Sequence, residues 1–163
     1  MSVAWIREPT GIICFEIQTA QRQSKNWEDY LVLSRYNLSP NVAPMFSSRS
    51  FPDSDGKSIK VRIIPGPIFN KTSVTFDEVL RVGYGYGFIK PPASLALDMR
   101  AILSDGFIGE MGFDKLFVMH ELIPEHNYLL ALRCDISNYL YAFDRNPREG
   151  FRTAATGFAF EAP

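Results

Sequence analysis

From residue 12 the chain runs IICFEIQTA, in which Ile13, Phe15 and Ile17 alternate with Cys14, Glu16 and Gln18. A period of two places the first set on one face of a strand. VAWIRE comes before it, across the turn sequence Pro9-Thr10-Gly11, so residues 2–19 are predicted to form a hairpin. YLVLS at 30–34 and SIKVRII at 58–64 read as further strands. Thr75-Phe76-Asp77-Glu78 fits a capping box, in which the Thr oxygen and the Glu carboxylate each take a free backbone N–H. Phe76, Val79 and Leu80 then share one face of a short helix. Gly83 is expected to close that helix, with VGYGYGFIK following as a glycine-spaced strand.

Pro92 opens PASLALDMRAILSDG, where Leu95, Met99, Ile102 and Leu103 make an apolar stripe. This predicts the principal helix at about 92–104, ended by Asp105-Gly106. LFVMHELI, YLLALRCDI, NYLYAFD and FRTAATGFAFEA follow from Leu116, separated by PEHN, SN and RNPREG. Turn chemistry between apolar runs predicts a C-terminal antiparallel meander. The expected fold class is α+β, mainly antiparallel sheet with one principal helix, in a single domain over 1–163.

RYNLSPNVAPMFSSRSFPDSDGK, at 35–57, breaks both periods with three prolines and many serines. A connection this long without structure is uncommon in a compact domain. Its apolar side chains are Val42, Met45, Phe46 and Phe51. They are the expected partner-binding residues, anchoring an arm on another protein or on a second copy. The alternative is that the arm packs on its own domain, as Ω-loops do.

Composition narrows the class. The chain has 163 residues, enough for one ordinary domain core without a disulfide or metal, and 46% are hydrophobic, a globular value. With 17 basic and 18 acidic residues the net charge is −1, which gives no general field for nucleic acid or an anionic membrane. A local basic patch is still allowed. The two cysteines, Cys14 and Cys134, lie in apolar sequence and read as buried thiols. No apolar run approaches the ~20 residues that span a bilayer, and charges reach the N-terminus early, so a soluble, cytoplasmic protein is expected.

Chemistry-bearing motifs are few. VMHELIPEH holds the two histidines, His120 and His126, beside Glu121 and Glu125. A helical zinc motif needs histidines at i and i+4, and here the spacing is six with Pro124 between. A zinc site also wants three or four ligands, so no metal or other cofactor is expected. In a strand, His120 shares a face with Leu116, Val118 and Leu122 and reads as structural. Asp53-Ser54-Asp55-Gly56 lacks the distal Glu of a calcium loop, and Gly56-Lys57-Ser58 lacks the first Gly of a P-loop. Gly85-Tyr86-Gly87-Phe88-Ile89 resembles the core of the RNP1 strand of RNA-recognition motifs, which implies base stacking by Tyr84, Tyr86 and Phe88 on a sheet.

Without a catalytic constellation, the leading expectation is a non-catalytic interaction or assembly subunit, such as a structural or accessory factor of a larger complex, one of viral or phage type being an example. One alternative is a small metal-dependent or acid–base hydrolase centred on His120 and His126. The other is a sheet-based RNA-binding module using Tyr84, Tyr86 and Phe88.

Overall fold

In the computed structural model, residues 3–23, 26, 27, 29 and 36–163 are described. The strand expected at 30–34 lies outside them. The first hairpin forms as its pattern requires: β1 (Trp5–Arg7) pairs antiparallel with β2 (Ile13–Gln18), Ile6 facing Cys14. β3 (Gln21–Arg22) pairs with β5 (Ser54–Asp55) in a small ribbon. β6 (Ser58–Pro65) lies beside β2, with Ile13 opposite Ile63 and Phe15 opposite Val61.

β8 (Lys115–Val118), β9 (Tyr128–Arg133) and β10 (Tyr139–Asp144) are the expected antiparallel meander. The last strand departs from expectation. β12 (Thr156–Glu161) does not extend the meander at its edge. It returns to the middle of the sheet, antiparallel to β6 and parallel to β8. With β4 (Asn37–Leu38) parallel to β10, the sheet order is β1-β2-β6-β12-β8-β9-β10-β4. β12 earns that place by its sequence: Phe158 and Phe160 serve one face while Gly157 and Ala159 serve the other, and all four are buried. A strand buried on both faces reads as a continuous apolar run, not as an alternating one.

Alternation sorts the sheet into two cores. Ile13, Phe15, Val61, Ile63, Leu116, Val118, Leu130, Leu132, Leu140 and Ala142 face α3 (Ser94–Ile102) and α1 (Val42–Phe46). On the opposite face Ile64, Phe117, Met119, Leu129, Ala131, Phe158 and Phe160 face α2 (Phe76–Gly85) and the ribbon of β7 (Ser73–Val74) with β11 (Phe151–Arg152).

The principal helix is shorter than expected: Pro92 precedes the N-cap Ala93, and the helix ends at Ile102. Leu95, Met99 and Leu103 are core residues, but Ile102 is 37% exposed and falls outside the stripe. Residues 94–100 are buried all round, including Asp98 and Arg100. The polar pair survives burial through specific partners. Asp98 accepts from Ser54 Oγ at 2.5 Å and from the Ala20 N–H at 3.0 Å. Arg100 donates to the Leu103 carbonyl at 2.6 Å and lies 3.0 Å from Asp105. Asp105 opens α4 (Asp105–Glu110), which Ser104 caps; this helix stands where only a terminator was expected.

The arm is core in this chain. Val42, Met45, Phe46 and Phe51 are 0–4% exposed and join the cluster under the sheet, with Phe46 and Phe51 edge to face at 5.3 Å. They are therefore not anchors held out for a partner. The physical reason is hydrophobic: burying each contributes about 1.5–3 kcal/mol, which offsets the entropy of ordering an arm rich in Pro and Ser. Serine adds direct pairing, since the Ser39 N–H donates to the Leu140 carbonyl and Ser39 Oγ accepts from the Ala142 N–H at 2.9 Å.

Candidate binding face

Tyr84, Tyr86 and Phe88 do not stand on a strand. The capping box forms as expected, Thr75 accepting from the Glu78 N–H at 3.2 Å, but α2 continues through Gly85. Gly83 is helical: a Cβ there would sit 2.4 Å from the Phe160 ring, so its hydrogen lets the helix lie close on β12. The left-handed residue is Gly87, at φ 79°. Tyr84 and Tyr86 point to solvent from the helix end, while Phe88 leans on Phe160 at 6.2 Å. Tyr86 and Phe88 stack on each other at 5.6 Å where the helix ends, not along a strand, because Gly83 serves helix packing and Gly87 ends the helix.

His120 is buried, but it lies past the end of β8, and Leu122, expected on the same face, is 45% exposed. Its Nδ1 lies 2.6 Å from the Glu121 carbonyl, and its Nε2 accepts from the Leu130 N–H at 3.1 Å. Both ring nitrogens are spent on backbone, and burial holds the pKa down at about 4 from the ordinary 6.5. The ring is thus neutral and fully bonded, with no atom left for a substrate or metal. Among the described residues no three His, Cys, Asp or Glu side chains gather to hold a metal ion. Cys14 and Cys134 are free thiols, and burial raises both pKa values, Cys14 to about 11. A thiol that resists ionisation is a poor nucleophile.

The meander builds a different site on the face away from α3. Leu140 and Ala142 of β10 point into the core, so the two-residue period turns Tyr139, Tyr141 and Phe143 outward together. Tyr139 and Tyr141 stack at 5.9 Å, and Tyr141 and Phe143 meet at 5.5 Å. Across the strands the register forms two rows. One is Lys115, Arg133 and Tyr139; the other is Phe117, Ala131 and Tyr141. Ala131 is the small member of its row, and Phe143 reaches Phe117 beside it at 5.2 Å. Phe151, from β11, closes on Phe117 at 4.8 Å.

Phe117, Phe143 and Phe151 floor a hollow of about 400 Å³ rimmed by Lys115, Arg148 and Arg152. The turn RNPREG supplies part of the rim: Asp144 accepts from the Asn146 N–H at 2.9 Å, and Gly150 takes φ 73° with the Val74 carbonyl beside it. Lys115 Nζ lies over Phe143 at 5.6 Å and over Phe117 at 5.7 Å. Burial, with Arg133 and Arg152 nearby, pulls the Lys115 pKa below its ordinary value, while Asp135 and Asp114 oppose the shift. Lys115, Arg148 and Arg152 form no ion pair with any described residue. Glu149 is the acidic residue in the same lining. Arg133 is fixed differently: both its Nε and Nη2 reach Asp135, at 3.0 and 2.5 Å, with its guanidinium 5.7 Å from the Tyr141 ring.

The signal for this face was present in the sequence. NYLYAFD places aromatics on one parity of a strand, and RNPREGFR follows with three arginines. Reading the first as a plain strand and the second as a plain turn hid their convergence, which depends on β11 folding back over β8.

The chain matches no family model, no curated protein and no solved structure in comparisons with each. No helix among the described residues is long and apolar enough to cross a membrane.

Proposed function

We propose that the protein is a non-catalytic binding or assembly subunit whose contact surface is the aromatic and basic face of β8–β10, and that its partner is a polyanion. One observation carries this reading: Lys115, Arg148 and Arg152 converge on an aromatic-floored hollow without an ion-pair partner among the described residues. Lys115 loses hydration over the rings with the positive charges of Arg133 and Arg152 nearby, and an incoming anion relieves both costs. The spent nitrogens of His120 and the raised thiol pKa values favour binding over catalysis.

Arg148 and Arg152 are exposed, so Arg148→Glu with Arg152→Glu changes the rim without touching the core. Calorimetric titration with polyglutamate and with oligothymidylate tests the reading. At least one polyanion is expected to bind, about tenfold or more weaker after the double substitution, since each charge reversal adds repulsion at the rim. Failure of both polyanions to bind, or unchanged affinity in the variant, overturns it.

Assembly through a second copy of the chain is the other reading, favoured by Tyr84, Tyr86 and Ile89, which are 51%, 43% and 43% exposed on one short stretch. Exposed aromatics of this kind are enriched at interfaces. Sedimentation of Tyr84→Ser with Tyr86→Ser tests it: a dimer that becomes a monomer supports it, and a monomer from the outset rejects it.

A further inference from the structure

We infer that the polyanion of the β8–β10 face is single-stranded nucleic acid, with bases on Tyr139 and Tyr141 and a backbone phosphate over Lys115, Arg148 and Arg152. This rests on the proposal that the face is the contact surface, and adds the chemical class of its partner.

Two features of the face must be used by the same ligand. One is charge, at the hollow. The other is a line of half-buried rings running away from it along β10, Phe143 to Tyr141 to Tyr139. An acidic peptide satisfies the cations but brings a flat ring only where an aromatic residue falls among its acidic ones. A nucleic acid brings both, because each unit carries one phosphate and one aromatic base.

Spacing selects the single strand. The ring centroids along β10 lie 5.5–5.9 Å apart. Bases stacked in a duplex are about 3.4 Å apart and hidden between their neighbours, whereas a single strand can splay its bases to meet separate rings. An anionic lipid surface is disfavoured because the rings lie recessed between the cations rather than projecting past them: Phe117 and Phe151 are 2% and 1% exposed.

Arg133 completes the arrangement. Asp135 holds it bidentately against Tyr141, so its guanidinium plane is fixed beside the ring on which a base would stack. A guanidinium so placed can support a stacked base or meet the following phosphate.

The test uses the whole chain and a fluorescent oligothymidylate of about 12 nucleotides, within the ~4–16 nucleotide footprint of single-strand sites. Anisotropy is followed as salt is raised. Binding is expected, with Tyr141→Ala weakening it about tenfold and Tyr141→Phe leaving it unchanged, because the ring rather than the hydroxyl stacks. A melting temperature of the Ala variant close to that of the wild type shows that its loss of binding is not loss of fold. Lys115→Gln is expected to lower the salt slope by about 0.7, one phosphate contact. An abasic oligomer, polyglutamate and thymidine monophosphate are the controls. Equal binding of an abasic oligomer of the same length removes stacking and overturns this inference, while leaving the polyanion proposal standing. Binding of polyglutamate but not oligothymidylate does the same. Binding of neither overturns both. Thymidine monophosphate binding as tightly as the oligomer also overturns it, since the line of rings would then play no part.

Discussion

Acidifying the protein should expose the cost of keeping His120 neutral. The ring is 2% exposed, its Nδ1 faces the Glu121 carbonyl, and its Nε2 accepts from the Leu130 N–H. A proton added at Nε2 would face another donor and would place a charge in the core, beside β9. Burial is the main cause of the lowered pKa, Arg145 and Lys90 add to it, and the Glu121 carbonyl opposes it. The folded value lies below the unfolded one, so the unfolded chain binds the proton first. The stabilisation is therefore complete above about pH 6.5 and is lost as pH falls towards about 4. A shift from 6.5 to about 4 corresponds to about 3 kcal/mol at ~1.36 kcal/mol per unit. Urea titration of the wild type and of His120→Gln across this range isolates the effect, because the carboxylates are common to both. Glutamine offers a donor and an acceptor but a different shape, so at neutral pH the variant should be about 1–3 kcal/mol less stable. On acidification to about pH 4 the difference should move by about 3 kcal/mol in favour of the variant, closing or reversing the gap. A gap that stays constant refutes the buried, neutral assignment of His120.

Met45→Ala should cost about 2–5 kcal/mol in the same titration, since Met45 is fully buried under the sheet, while leaving polyanion affinity unchanged. A cost near zero would mean that the arm is not core. Burial raises the Asp98 pKa despite its bonds to Ser54 and Ala20. The folded protein thus holds this proton to higher pH than the unfolded chain, and the contribution of Asp98 falls as pH rises through the folded value. Asp98→Asn keeps an acceptor for the Ala20 N–H and lets Ser54 Oγ turn to accept. It is expected to remove that fall and to match or exceed the wild-type melting temperature at neutral pH; a large loss there would show that the charge itself is needed.

Local periodicity carried most of the sheet. Ile13, Phe15 and Ile17 face the core as their alternation requires, and the capping box at Thr75 starts α2. What local pattern could not convey was long-range choice. FAFEA reads equally well as the edge of a meander or as a central strand, and its burial on both faces decides the second. The arm misled for a related reason: prolines and serines break any period, yet Met45, Phe46 and Phe51 only need to reach the core, not to repeat. The glycines at 83, 85 and 87 suggested a strand, whereas Gly83 answers to the ring of Phe160 across the fold. The binding face was the least legible part, because it joins β8, β10 and the turn before β11, and neither RNPREG nor NYLYAFD alone implies a hollow.

Amide chemical-shift mapping during titration with oligothymidylate addresses the binding face most directly. The largest changes are expected at Lys115, Phe117, Arg133, Tyr139 and Tyr141 and along residues 148–152, with the arm at 42–51 unmoved. Shifts centred on Tyr84, Tyr86 and Ile89, on the arm, or nowhere at all would contradict the assignment of β8–β10 as the surface through which this protein works.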